Sequence, residues 1–200
     1  MNKNDLRYQK TEDSLKEAML GLLENGNIDD VSITALCRNA RCSRNAFYQH
    51  YQSKYELYNA ILESVIEDIR KSCMPVVSSL DLASEKKITE WTHRLLDTIY
   101  SRRNEILSFM KNSSSFSDIL RSSLYEAMCE GNLRFISEAA ITREIRLILY
   151  YSANGITGFI QYWLCETDFS LDKAKDYLDR ITRDPFRQVR DMMRDTETKV

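Results

Sequence analysis

Four cations lie close together in a stretch of the chain that contains no acidic residue. The segment from Val31 to Tyr55 has no Asp or Glu and carries Arg38, Arg41, Arg44 and Lys54. The whole chain of 200 residues has a formal net charge of −2 at pH 7, so this cationic window lies inside a weakly acidic protein. A local surface of this kind suits contact with phosphate groups. The alternative is a basic face that is merely solvated.

Two short helical patterns lie within this window. Ser32 precedes Ile33 and Leu36 in a pattern that predicts a helix ending near residues 39–40. Ser43 opens a second helix over residues 43–51. The two are separated by two residues, which is the spacing of a helix-turn-helix whose second helix can enter the major groove. Helix pairs of this kind also occur as packing motifs, so spacing and charge alone leave both readings open.

The elements around the window are predicted to be helical as well. Only 5 Gly and 2 Pro are present, and apolar residues recur at spacings of three and four. Thr11 is predicted to cap the first helix, Asn25-Gly26 to end it, Ser53 and Glu56 to form a capping box, and Pro75 to end the fourth helix. Later helices are predicted at about 84–101, 103–111, 118–131, 139–165 and 171–182, and from Asp184-Pro185 onward. The expected class is all-α.

The second short helix resembles a DNA-reading helix of a known family. The run Ser43-Arg44-Asn45-Ala46-Phe47-Tyr48-Gln49-His50-Tyr51, followed by Ser53-Lys54 and Leu57, is similar to the recognition helix of the TetR/AcrR family of bacterial transcriptional regulators. Further resemblance lies in Ser32-Ile33, Leu36, Ala40 and the Thr11, Leu15, Ala18 spacing, within residues 8–65, and more weakly in the segment 150–164. The resemblance implies an N-terminal three-helix helix-turn-helix DNA-binding domain over residues 1–53. It also implies a larger C-terminal helical ligand-binding and dimerisation domain over residues 54–200.

Three positions depart from the family pattern. Arg41 stands at the turn position that is usually Gly, and we expect it to carry a left-handed backbone at a cost of about 1 kcal/mol. Ala35 replaces a common acidic residue, and Cys37 replaces a small one. None of these changes removes a phosphate contact.

Helix geometry and the resemblance together predict the DNA-binding residues. When Phe47 and Tyr51 face the core, the polar residues of the same helix lie on the opposite side. Arg44, Asn45 and Gln49 have the groups needed to read base edges. The resemblance implies that Tyr48, His50 and Lys54 bind the phosphate backbone. The predicted set is Ser32, Arg41, Arg44, Asn45, Tyr48, Gln49, His50 and Lys54.

Apolar residues of the second domain predict an effector pocket and a dimer interface. The alternative for the pocket is an ordinary helical core, and its predicted residues are Trp91, Leu95, Phe109, Met110, Phe116, Tyr125 and Met128. A broad apolar stripe over 139–165, with Gly155 and Gly158 inside it, predicts a four-helix interface with helix 171–194 across a two-fold axis. The alternative is that the glycines serve packing within one chain. The predicted interface residues are Ile145, Leu149, Ser152, Gly155, Ile156, Phe159, Trp163 and Tyr177.

Other candidate sites are weaker. His93 lies at helical spacing from Glu90 and Asp97, but a chain with two histidines and no second ligand pair favours no metal site. Cys37 and Cys42 flank the predicted turn, where buried apolar packing is favoured over a redox switch. No nucleophile motif is present, so neither an enzyme nor a cofactor is expected.

The expected function is that of a homodimeric repressor. It would bind a pseudo-palindromic double-stranded DNA operator and be released by a small-molecule effector. The polar start, the lack of long apolar runs and five cysteines without a C-x-x-C pair favour a cytoplasmic protein with no membrane partner. The alternative is a helical ligand-binding or protein-interaction module without DNA recognition.

Overall fold

A computed structural model describes the backbone of residues 6–24, 26–73, 85–133 and 142–197, and every regular element in these ranges is helical. The α-helices are α1 (Leu6–Leu23), α2 (Ile33–Asn39), α3 (Arg44–His50), α4 (Lys54–Cys73), α5 (Glu85–Ser101), α6 (Arg103–Asn112), α7 (Phe116–Leu133), α8 (Arg143–Glu166) and α9 (Leu171–Glu197). The all-α prediction is confirmed. Outside the described residues lie the polar start at 1–5, Asn25, Pro75 and the predicted helix start at 139.

The chain divides into two compact units. The first contains Met1–Val65 and Asn104–Ser114, and the second contains Ile66–Arg103 and Ser115–Val200. This division differs from a boundary at residue 53, because the first half of α4 and nearly all of α6 pack in the first unit. The boundary between the DNA-binding and effector functions stays a prediction.

Three helices of the first unit, α1, α2 and α3, share a small apolar core. The helix α1 packs against both α2 and α3. Fully buried side chains of this core include Leu15, Met19, Leu36 and Phe47. Because Phe47 points inward from α3, the opposite face of that short helix must be exposed.

The second unit is a layered arrangement in which α8 packs against α7 and α9, and α9 also packs against α5. Two polar contacts join α5 to α9. His93 Nε2 lies 2.9 Å from Asp179 Oδ2, and Lys175 Nζ lies 2.6 Å from Asp97 Oδ1. His93 and Asp97, two of the three residues of the metal candidate, therefore contact α9. Within the described ranges, no helix combines the length and apolar content needed to cross a membrane.

Some of the predicted helix caps are confirmed and others are not. The side chains of Ser32 and Ser43 are N-caps, as predicted. Thr11 lies inside α1, where its hydroxyl donates to the Arg7 carbonyl at 2.9 Å, so its predicted role as a cap is wrong. The Ser53 hydroxyl accepts from the Glu56 N–H, but the Glu56 carboxylate accepts from the N–H of Gln52, one residue earlier than a capping box requires.

The predicted helix start at Asp184-Pro185 is also wrong, because α9 runs through Pro185 without ending. Proline lacks the N–H that would bond to the carbonyl four residues earlier, and its ring crowds that carbonyl. That carbonyl belongs to Ile181, whose side chain is 54% exposed. Solvent can satisfy a carbonyl on such a face, which allows the helix to continue.

Candidate nucleic-acid interface

The two helices of the candidate interface begin at well-formed caps. The Ser32 hydroxyl accepts from the N–H of Ala35 at 3.1 Å, and the Ser43 hydroxyl accepts from the N–H of Ala46 at 3.0 Å. Each cap satisfies one N–H at a helix start that would otherwise lack a partner. Each hydroxyl keeps its own proton for donation to an outside acceptor.

The turn between α2 and α3 is a Schellman motif with an arginine at the left-handed position. The Cys42 N–H donates to the Cys37 carbonyl at 3.0 Å, and the Arg41 N–H donates to the Arg38 carbonyl at 3.3 Å. Arg41 has a φ of 52°. The predicted left-handed backbone is confirmed, and the arginine side chain projects from the turn into solvent.

A pair of substitutions at Arg41 should separate backbone strain from charge. We expect Arg41→Gly to be about 1 kcal/mol more stable to urea unfolding than Arg41→Ala, because only glycine relieves the left-handed strain. Both variants lose the guanidinium, so their DNA affinities should fall equally when measured by fluorescence anisotropy. Equal unfolding free energies for the two variants would contradict the strain.

The face of α3 opposite Phe47 carries polar side chains. Arg44, Asn45 and Gln49 are exposed, and Tyr48 is 51% exposed. Phe47 is fully buried and contacts the Tyr48 ring edge-on, with 5.4 Å between the centroids. Guanidinium and amide groups on such a face can form paired hydrogen bonds with base edges in a major groove.

His50 has a different environment from the other predicted contacts. Its ring stacks on Tyr8 of α1 at 3.8 Å between centroids, and its Nδ1 is buried with no partner among the described atoms. Burial lowers the pKa of His50, and the nearby Glu12 carboxylate opposes that shift only in part. His50 can therefore offer a phosphate a neutral N–H donor rather than a charge.

Lys54 is held in place by a short 3₁₀ turn that the sequence pattern does not predict. A 3₁₀ turn over Ile28–Asp30 precedes α2, and the Lys54 ammonium donates to the Asp29 carbonyl at 2.7 Å. The Tyr55 hydroxyl donates to Asp29 Oδ1 at 2.9 Å, and the ammonium lies 5.1 Å from the centre of the Tyr55 ring. Asp29 and Tyr55 therefore position this cation. The only sequence signal for the turn is the cap at Asn27, which pairs with Asp30.

A cleft of about 840 Å³ opens beside the turn within the first unit. Its lining combines three cations with small and polar residues of α1, α2 and the turn. The lining residues are Arg7, Lys10, Thr11, Ser14, Glu17, Ala18, Gly21, Asn39, Ala40, Arg41 and Cys42. Periodicity could not reveal it, because the cleft depends on how α1 meets the turn.

Comparison with known proteins agrees with this geometry. No protein-family model matches the chain. An uncharacterised HTH-type transcriptional regulator of Bacillus subtilis, YxbF, is 25% identical to this chain over 162 residues. The aligned part is 79% of this chain but only 40% of the length of YxbF. A tetR-family transcriptional regulator from Streptomyces coelicolor superposes with a TM-score of 0.62 at 18% identity, over 85% of this chain and 79% of its own. The chain has the TetR-family fold.

A second structure supports that identification. A TetR-like transcriptional regulator from Rhodococcus sp. RHA1 has a TM-score of 0.59 at 16% identity, over 90% of this chain and 96% of its own. The resemblance to the TetR family is thus confirmed at the level of the fold. Similarity of fold assigns no role to single residues, so their roles are inferred from the contacts within this chain.

The predicted effector residues are divided between the two units. Phe109 and Met110 belong to α6 in the first unit, where Phe109 packs edge-on against Tyr58 at 5.0 Å. Leu95 and Phe116 are fully buried in the second unit. The effector pocket stays a prediction for the set given above.

Most of the predicted dimer residues are core residues of one chain. Less than a tenth of the surface of each of these residues is exposed: Ile145, Leu149, Ser152, Ile156 and Trp163. They cannot provide the main contact surface for a second copy, because α8 already packs against α7 and α9. Phe159 is half-buried, Gly155 is exposed and Tyr177 is 40% exposed.

A different face of α8 is exposed and apolar. Leu147, Tyr151 and Tyr162 are 70%, 68% and 66% exposed. These residues lie on one stripe with Gly155 and Gly158, at spacings of three and four. A Cβ added at either glycine would meet nothing within 4 Å, so packing among the described residues does not account for them.

Proposed function

We propose that the protein is a homodimeric TetR-type transcriptional regulator, acting as a repressor, whose α3 reads an operator. The observation that carries the proposal is the exposed polar face of α3, which is fixed by the buried Phe47 and lies in a window of four cations without a carboxylate. An exposed hydrogen-bonding face beside cations is the combination that sequence-specific DNA contact requires.

We assign the DNA contacts to two groups. Arg44, Asn45 and Gln49 project from the exposed face of α3 and are proposed to read base edges. A second group fixes the position of the protein on the sugar-phosphate backbone. This phosphate-binding group comprises Ser32, Arg41, Tyr48, His50 and Lys54.

Binding to genomic DNA fragments at several salt concentrations tests the proposal. A sequence-specific regulator should still bind a few fragments at salt concentrations where it no longer binds the other fragments. Salt screens the attraction to phosphates, whereas contacts to base edges persist. If no fragment is shifted at low salt, the protein is instead a helical ligand-binding or protein-interaction module without DNA recognition, and the proposal fails.

Lys54 provides a quantitative prediction. We expect Lys54→Ala to weaken binding to operator and random DNA alike, and to reduce the slope of log K against log salt by about one unit. Lys173 is a matched control, because its ammonium also lies over an aromatic ring, that of Phe169 at 3.7 Å, but on α9 of the second unit. Lys173→Ala should leave the slope unchanged, and an unchanged slope for Lys54→Ala would remove Lys54 from the contact set.

The second unit is proposed to supply dimerisation and effector response. The stripe of Leu147, Tyr151 and Tyr162 offers apolar area to the same surface of a second copy, as a two-fold interface requires. Effector binding in the second unit would favour a half-site separation that fits the operator poorly. The coupling free energy between the two sites would then appear as release from DNA.

A further inference from the structure

Cys37 and Cys42 occupy the two ends of the turn that precedes the recognition helix. They stand at the positions of a Schellman motif whose side chains commonly touch, and the Cys42 N–H donates to the Cys37 carbonyl at 3.0 Å. The neighbouring Cys37 thiol also contributes to a raised pKa of Cys42. A disulfide requires Cβ atoms about 3.5–4.5 Å apart, and the backbone bond between these two residues holds them as neighbours across the turn.

The two thiols differ in access. Cys37 is 6% exposed, whereas Cys42 is half-buried and lines the cleft beside the turn. The cleft also presents Arg7, Lys10 and Arg41, against a single carboxylate from Glu17. A small anionic molecule entering the cleft would therefore meet a thiol and a positive potential together.

We propose that Cys42 and Cys37 form a reversible dithiol site that exchanges with a low-molecular-weight disulfide carrying carboxylate groups. Cys42 is the attacking residue, since it is the one the cleft reaches. Cys37 is the resolving residue. The cations of the cleft attract the carboxylates of the incoming disulfide.

The exchange proceeds in two balanced steps. The Cys42 thiolate attacks one sulfur of the small disulfide, forms a mixed disulfide and releases one small thiolate. The Cys37 sulfur, after losing its proton to solvent, attacks Cys42 Sγ and releases the second small thiolate. The protein loses two electrons and two protons, and the small disulfide is reduced to two thiols.

Burial and the neighbouring Cys37 thiol raise the pKa of Cys42. The attacking thiolate is therefore scarce at neutral pH, and the exchange rate should increase as the pH rises. This slow exchange suits a site that responds to a sustained change in redox poise.

Closing the disulfide should act on the recognition helix. The two sulfurs must come to about 2.05 Å from each other, at a turn that leads directly into the Ser43 cap of α3. We expect DNA affinity to fall about tenfold, equivalent to about 1.4 kcal/mol. This consequence rests on the proposed function, but the thiol chemistry does not.

The chemistry is tested on the full-length protein with Cys165→Ser, which removes an exposed thiol. Incubation with oxidised glutathione should give a protein lighter by two hydrogen atoms, with a disulfide-linked peptide joining Cys37 to Cys42. Adding Cys37→Ser should instead trap a stable glutathione adduct on Cys42, and adding Cys42→Ser should prevent reaction at Cys37. Free thiols at both positions after prolonged incubation at alkaline pH would overturn the proposal.

A charge reversal in the cleft tests whether its cations attract the incoming disulfide. Lys10→Glu should slow the reaction with oxidised glutathione by about threefold relative to cystamine, whose two ends are cationic. An unchanged ratio of the two rates would overturn the cationic recognition. If the disulfide forms and DNA binding is unchanged, the coupling to α3 is wrong. If the reduced protein binds no DNA at all, the proposed function fails and the dithiol site stands.

Discussion

Gly155→Leu is expected to give a folded monomer whose operator affinity is lower by about 100-fold or more, because a symmetric operator is read by two subunits. A glycine inside a helix costs about 1 kcal/mol relative to alanine, and the space around Gly155 in the chain is open. The substitution should therefore leave the fold intact or stabilise it. In the dimer, the larger side chain would hold the two copies of α8 apart.

The measurement is sedimentation of the two proteins at micromolar concentration, with circular dichroism as the check of folding. Gly21 is a matched control, since it is an exposed helical glycine with no atom within 4 Å of an added Cβ, but it lies on α1. Gly21→Leu should remain dimeric. A wild type that sediments as a monomer, or a dimeric Gly155→Leu, would contradict the interface on this face of α8.

Alanine substitutions at Asn45 and Gln49 should have the second-largest effect. Each is expected to lose about 1–3 kcal/mol of discrimination at one base pair of each half-site, because a paired hydrogen bond to a base edge is lost. Affinity for random DNA should change little, since neither side chain carries a charge. This pattern is the opposite of the one expected for Lys54→Ala.

Competition of each variant against single-base-pair operator variants measures this discrimination. Asn59→Ala is the matched control, because Asn59 is an exposed asparagine on α4 in the first unit and should leave every preference unchanged. If Asn45→Ala and Gln49→Ala weaken all DNA equally, these side chains bind phosphates and the division of roles is wrong.

The local structure of α2, the turn and α3 could be predicted from sequence, because it depends on residues only a few positions apart. The spacing of Phe47 and Tyr51 determines which face of the short helix α3 is buried. Ser32 and Ser43 act as caps by accepting hydrogen bonds from N–H groups three residues later. The left-handed backbone of Arg41 follows from its place in the turn. No tertiary information was needed for any of these.

Other features depend on tertiary packing and were missed or misplaced. The carbonyl of Asp29 is fixed by a 3₁₀ turn that is too short to show a periodic pattern. The apolar residues of α8 fall on two faces, and sequence alone cannot say which of them packs inside one chain. The apolar pattern therefore predicts a partner surface at Ile145, Leu149 and Ile156, which are buried, whereas the exposed stripe runs through Leu147 and Tyr151.

The central claim is that the exposed face of α3 reads DNA sequence. Selection of bound sequences from a random double-stranded DNA library, with the wild type and Asn45→Ala in parallel, tests it most directly. We expect the wild type to enrich a pseudo-palindrome and Asn45→Ala to lose preference at one symmetric pair of positions within it. Enrichment of no sequence, or of the same sequence by both proteins, would contradict it.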